Sequence, residues 1–176
     1  MAKSLARRVG YIYVDTGAMY RAVTLFALRQ GLFSDKSINA EGLQAILPEA
    51  SISFRLDPAT QRPHTLLNGA DVEEEIRTME VSSRVSQVAA LPFVRKALVA
   101  LQQAMGAEKG IVMDGRDIGT AVFPQAELKI FVTASPEVRA RRRYDEMRNK
   151  GLSADYDEIL KNVSERDYID THREVD

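Results

Sequence analysis

The sequence predicts an α/β fold built on a parallel sheet. Three short apolar runs, at Tyr11–Val14, Ile111–Met113 and Leu128–Val132, are separated by stretches of helical composition, the pattern of strands joined through helical crossovers. The first two runs end abruptly in Asp15-Thr16-Gly17 and in Asp114-Gly115-Arg116-Asp117. In open α/β sheets ligands lie just beyond the carboxyl ends of strands, so charge at these two junctions is where it is useful. A third observation is a change of texture near residues 48–72, where alternation replaces continuous apolar runs and marks a small antiparallel insert.

Each element has its own signal. Ala2–Arg8 has helical composition but no capping residue before it, so a helix there starts as if cut. Ala18–Gln30 carries Tyr20, Val23, Leu25 and Leu28 among its apolar positions and stops at Gly31. Asn39 caps a helix over Ala40–Leu47, closed before Pro48. In Ser51–Leu56 the residues Ile52, Phe54 and Leu56 share one face, which makes a half-buried strand. His64–Leu67 is a second strand, and Asn68-Gly69 is a hairpin turn. Helices follow at Val72–Arg77, Met79–Ala90 and Pro92–Met105, the last with Leu98, Leu101 and Met105 inward. Ser135-Pro136-Glu137 combines a cap, a proline and an acid at a helix start. That helix ends at Gly151, and a final one spans Asp155–Tyr168 with Ile159, Leu160 and Val163 inward.

Composition narrows the function classes. The 176 residues make one ordinary domain, 45% hydrophobic and 28% charged. A net charge of -1 gives no field for nucleic acid or anionic lipid. The absence of cysteine excludes disulfides and thiolate metal sites and fits a reducing, cytoplasmic setting. No apolar run approaches a membrane span, and the N-terminus lacks a signal-peptide pattern. The 17 arginines against 7 lysines favour forked, bidentate recognition of phosphate or carboxylate.

The arginines concentrate at Arg21, Arg116, Arg139–Arg143, Arg166 and Arg173. Converging arginines are what phosphoryl transfer needs, because charge builds on the transferring oxygens. Solvated helix faces with acidic neighbours such as Asp145 and Glu146 are the plainer reading of any single one.

Four motifs resemble those of the bacterial cytidylate kinases. Asp15-Thr16-Gly17-Ala18-Met19-Tyr20-Arg21 is similar to their D-[ST]-G-A-x-Y-R. Ser86 to Arg95 is similar to S-x-V-A-x-x-P-x-V-R, and Asp114 to Thr120 to D-G-R-D-x-G-T. Glu165 to Arg173 is similar to E-R-D-x-x-D-x-x-R. Order and intervals agree over nearly the whole chain. The resemblance implies phosphoryl transfer from ATP to CMP or dCMP, with Mg²⁺, in pyrimidine metabolism. It implies a P-loop, nucleoside-monophosphate-kinase-like, three-layer parallel sheet. It makes Arg21, Arg116 and Arg173 holders of the acceptor phosphate, with Thr16 also in the acceptor site. Ser86, Arg95 and Asp117 become readers of the cytosine edge, and Asp170 meets the sugar hydroxyl. Arg142, Arg143 and Arg166 become lid arginines that neutralise the transferring group. No metal ligand among these residues is implied. The cytosine assignment is chemically apt: a carboxylate suits the N4 amino group and an arginine suits N3 and O2, whereas uracil reverses the pattern.

The resemblance also implies an organisation within one domain, residues 1–176. Its core is 1–35 and 106–138, its nucleotide-side insert and helices 36–105, and its lid and following helix 139–176. One departure stands out. The family's G-x-x-x-x-G-K-[ST] phosphate loop does not occur in these residues. The expectation is therefore a chain truncated at both ends, without the family's first and last strands and without kinase activity of its own. The expected partners are CMP, dCMP and ATP, with no nucleic acid and no membrane, and the expected state is a monomer. Two other readings are a relative acting on a different small acceptor, and a non-catalytic nucleotide- or RNA-binding protein. The Ser86, Arg95 and Asp117 trio argues against the first. The net charge and the lack of an aromatic platform argue against RNA.

Overall fold

A computed structural model describes residues 1–35, 37–57, 63–149 and 151–172. The chain divides into two compact units, one over Met1–Gln125 and one beginning at Ala126.

The first unit holds the parallel sheet. Strands β1 (Ile12–Asp15) and β7 (Ile111–Asp114) pair in parallel, Ile12 opposite Ile111 through Asp15 opposite Asp114. Helix α1 (Ala2–Val9) precedes β1 with no side-chain cap at its start, as expected, and Gly10 closes it at φ 73°. Helix α2 (Thr16–Arg29) begins two residues earlier than predicted, because the Asp15 carboxylate accepts the Ala18 N–H at 3.1 Å and acts as its cap. Ala18, Met19, Ala22, Val23 and Phe26 of α2 are buried at the centre of the core. Burial of side chains of this size contributes roughly 1.5–3 kcal/mol each for the larger ones.

The insert forms as predicted. Strands β4 (Ile52–Leu56), β5 (Pro63–Leu67) and β6 (Ala70–Asp71) make an antiparallel sheet in the order β4-β5-β6. Asn68 and Gly69 both take positive φ, 50° and 80°, the geometry of a type I′ hairpin turn. Helix α3 (Ala40–Ile46) is capped by Asn39, which accepts the Gly42 N–H at 2.9 Å. A small antiparallel pair, β2 (Phe33–Ser34) and β3 (Ser37–Ile38), had no sequence signal. Helices α4 (Met79–Ala89) and α5 (Pro92–Gly106) lie close to their predicted limits.

Two predicted elements fail. The helix expected at Val72–Arg77 is reduced to one 3₁₀ turn, Glu75–Arg77. Residues 72 and 73 are instead tied to the insert: Val72 N–H donates to the Thr65 carbonyl at 3.0 Å, and Glu73 N–H to the Asp71 carboxylate at 3.1 Å. Glu73 in turn accepts both the N–H and the hydroxyl of Thr65, at 3.1 and 2.8 Å. The strand expected at Leu128–Val132 is not formed. Among the described residues the parallel sheet contains only β1 and β7. An apolar run without a ladder partner cannot satisfy its backbone as a strand, and Phe131 is 88% exposed.

The second unit pairs helix α6 (Pro136–Asn149) with helix α7 (Tyr156–His172). Arg139 of α6 grips Asp167 of α7 with both terminal guanidinium nitrogens, and its Nε donates to the Ala134 carbonyl at 3.0 Å. Tyr144 and Tyr156 meet edge to face, and Arg141 lies over the Tyr156 ring. Gly151, at φ 71°, stops α6 as predicted. Ile159 is buried, while Leu160 and Val163 are half-buried.

Candidate nucleotide site

The carboxyl ends of β1 and β7 bring two of the four motifs together. Thr16, the first residue of α2 and 3% exposed, donates its hydroxyl to the Asp114 carbonyl at 2.7 Å. That contact exists because residue 115 is glycine. A Cβ on Gly115 would stand 2.4 Å from Thr16 Oγ1 and 2.9 Å from the Ile118 side chain. Asp15 and Asp114 sit side by side in register, each committed to a protein partner. Asp15 caps α2 and pairs with Arg77 at 2.8 Å, while Asp114 accepts the Tyr13 hydroxyl at 2.8 Å.

These neighbours disturb one another's titration. Withdrawal from water pushes the Asp114 carboxyl above its ordinary range, the adjacent Asp15 charge adds to this, and the Tyr13 bond opposes it. Tyr13 is raised for the same first reason, with Asp15 and Asp114 contributing. Burial alone would lower Arg77, but its bonds and charge interactions with Asp15 and Glu73 outweigh this and raise it.

Arg95 and Asp117, expected from the sequence to read the cytosine edge, are brought into contact. Arg95, on the buried face of α5, forms an ion pair and hydrogen bond with Asp117 in the turn after β7, and their side chains are 4% and 12% exposed. Arg95 Nε, also buried, has no partner. Isolated charges in such a position would be costly, and pairing offsets part of that cost. Ser86 is half-buried on α4. Arg21 lies one turn into α2, where its Nη1 donates to Ser82 Oγ at 2.7 Å and to the Ile76 carbonyl at 3.2 Å. Arg116 is exposed on the loop.

In the second unit, Arg142 is exposed on α6, while Arg143 on α6 and Arg166 on α7 are half-buried. Arg139 is held by Asp167, whose bond and charge raise the guanidinium's pKa. This pairing joins the arginine-rich helix to the fourth motif, whereas the sequence offered only acids on the same helix as its partners. The Asp170 side chain and Arg173 lie outside the described residues.

Sequence reasoning missed Arg77, Ser82 and Tyr13. Asp15 is legible only as the charged end of a strand. The partners it takes are distant in sequence and carry no local signal.

The resemblance to the family implies a divalent cation. Among the described residues no three His, Cys, Asp or Glu gather as a metal would require. Asp15 and Asp114 are engaged by Arg77, Ala18 and Tyr13. In phosphoryl transfer much of such an ion's coordination comes from substrate phosphates and water. No helix among the described residues is long and apolar enough to cross a membrane.

The family model described as cytidylate kinase matches residues 1–176. A cytidylate kinase of Phocaeicola vulgatus is 65% identical over 175 residues, covering 99% of this chain and 76% of the relative. One from Bacteroides thetaiotaomicron is 63% identical over 175 residues with the same coverage. One from Flavobacterium johnsoniae is 54% identical over 174 residues, again covering 99% and 76%.

Proposed function

This chain belongs to the cytidylate kinase family of nucleoside monophosphate kinases, and we propose that the reaction it serves is transfer of the γ-phosphoryl group of ATP to CMP or dCMP, giving ADP and CDP or dCDP, with the residues of this chain supplying the acceptor site and the lid. The observation that carries the choice of base is the buried pair of Arg95 and Asp117. The Asp117 carboxylate accepts from the cytosine N4 amino group, and the Arg95 guanidinium donates to N3 and O2. Uracil would place its O4 carbonyl against Asp117, leaving two acceptors face to face. Ser86 completes the edge.

Arg21, Arg116 and Arg173 hold the acceptor phosphate, with Thr16 also in the acceptor site, where it ties the start of α2 to the end of β7. Asp170 takes the sugar hydroxyl. Arg142, Arg143 and Arg166 neutralise charge on the transferring phosphoryl group, as residues of a lid over 139–176 that excludes water when both nucleotides are bound. In this reading 1–35 and 106–138 are the core, and 36–105 the nucleotide-side insert and helices. The setting is cytoplasmic pyrimidine metabolism, and the working form is a monomer. Since no G-x-x-x-x-G-K-[ST] stretch lies in these 176 residues, they bind CMP without turning over ATP by themselves.

Calorimetry with CMP and UMP tests the base assignment. CMP binds more tightly, and Asp117→Ala removes most of the difference, about 1–3 kcal/mol for a bidentate contact. Equal CMP-to-UMP ratios before and after the substitution would overturn it. ADP formation from ATP and CMP by residues 1–176 at about 1–100 s⁻¹, the ordinary kinase range, would overturn the statement on turnover.

A further inference from the structure

The Arg95–Asp117 pair is held by a device of its own. Immediately after Asp117 the backbone forms a π turn, Ile118–Val122. The Asp117 carbonyl accepts from Ala121 N–H at 2.8 Å and Val122 N–H at 3.4 Å, and Phe123 N–H closes on the Ile118 carbonyl at 2.7 Å. Such wide turns are rare and concentrate at functional sites, because they re-aim one residue without breaking the chain direction. On its own a π turn is poorly fixed.

Here it is pinned from outside. Gln103, on the same helix that carries Arg95, donates its side-chain amide to the Val122 carbonyl at 3.0 Å. Val122 is buried, at 2% exposure. Two turns of α5 separate Arg95 from Gln103, so one rigid helix grips both ends of the segment: Asp117 through Arg95, and Val122 through Gln103. At the next turn Gly106 leaves room for Phe123, whose ring would stand 2.4 Å from any Cβ there.

We propose that Gln103 is a positioning residue for base selection: by holding the Val122 peptide, it sets the π turn that aims the Asp117 carboxylate at Arg95 and so at the cytosine edge. The inference rests on the reading of Arg95 and Asp117 given above. Gln103 does not touch nucleotide; it acts through the Val122 peptide, one hydrogen bond from the Asp117 backbone. Loss of its amide frees the far end of the turn, and the carboxylate samples orientations that no longer favour N4 over a carbonyl.

The test uses Gln103→Met, which keeps length and volume and removes the donor, and Gln103→Lys, which restores a donor. Calorimetry measures CMP, UMP and ribose 5-phosphate on each. Gln103→Met lowers the CMP-to-UMP preference by about three- to tenfold, the worth of one such hydrogen bond, with ribose 5-phosphate affinity unchanged; Gln103→Lys recovers the preference. Amide exchange at Ala121 and Phe123 speeds up in the methionine variant only. An unchanged CMP-to-UMP ratio in Gln103→Met, or equal losses for all three ligands, overturns the inference. Asp117→Ala is run alongside: if it alters the ratio while Gln103→Met does not, the base-reading pair stands and only the role of Gln103 falls. If Asp117→Ala also leaves the ratio unchanged, both fall.

Discussion

Replacing Gly115 with alanine tests how the two strand ends are joined. The new methyl would begin 2.4 Å from Thr16 Oγ1 and 2.9 Å from two carbons of Ile118. The Ile118 side chain can turn aside. Thr16 cannot, because it is 3% exposed and its hydroxyl is spent on the Asp114 carbonyl at 2.7 Å. Either that bond breaks or the loop bearing Arg116 and Asp117 moves. A lost buried hydrogen bond costs about 0.5–1.5 kcal/mol, more if the carbonyl is left unpaired. Overpacking adds roughly 1–3 kcal/mol. The sum, about 1.5–4.5 kcal/mol, corresponds to a fall in Tm of about 3–18 °C for a chain of this size. Urea unfolding of Gly115→Ala, Thr16→Ala and the double variant measures it. Thr16→Ala removes the clashing oxygen, so the double variant should be less destabilised than the sum of the singles, with a coupling of about 0.5–3 kcal/mol. Strict additivity, or a Gly115→Ala protein as stable as its parent, would show that the close approach does not constrain the site.

Two further outcomes follow from polar groups elsewhere in the first unit. Gln102 is 1% exposed, and neither end of its amide has a hydrogen-bond partner. Gln102→Met should therefore raise stability by about 1 kcal/mol, because an unsatisfied buried amide is removed at nearly constant volume; a loss of stability in urea unfolding would mean the amide is satisfied after all. His64 Nδ1 bonds the Asp71 carboxylate at 2.7 Å, which raises His64 above its ordinary 6.5 and lowers Asp71 below 3.8. The histidine's contribution is complete below its unfolded value near 6.5 and fades as pH rises through the raised folded value, while the carboxylate's fades only as pH falls through its lowered one. Asp71→Asn should bring the His64 titration, followed by NMR, back toward 6.5, and an unmoved midpoint would contradict the pairing.

Local chemistry in the sequence foretold the elements that depend only on local chemistry. Asn39 before Ala40, Asn68-Gly69 between two strands and Gly151 after α6 each fix a boundary through their own backbone or side chain. The failures share a different cause. Val72–Arg77 has an acceptable helical composition, but bonds to Thr65 and Asp71 hold residues 72 and 73 against the hairpin, and only Glu75–Arg77 closes a turn. Leu128–Val132 has the composition of a buried strand, yet a strand is defined by its neighbour, and composition says nothing about whether a neighbour is present. Periodicity reports what a segment could bury. It cannot report what the rest of the fold provides to bury it against.

The same distinction divides the candidate site. Residues that would meet a nucleotide stand in short motifs, because a turn at a strand end must present several groups within a few residues: Asp15 to Arg21 and Asp114 to Asp117 could be read directly. Residues that would hold them in place are scattered. Ser82 for Arg21, Tyr13 for Asp114, Arg77 for Asp15 and Gln103 for the turn after Asp117 come from other elements. Each is an ordinary polar side chain whose importance arises from where packing puts it. Gly115 belongs to both groups, since it lies within a motif and yet acts by the absence of a side chain against Thr16. A relative that keeps every motif residue but alters these supports would retain the chemical groups and lose their aim, and that loss would appear first in the choice between cytosine and uracil, where a carboxylate must meet a donor and not a carbonyl.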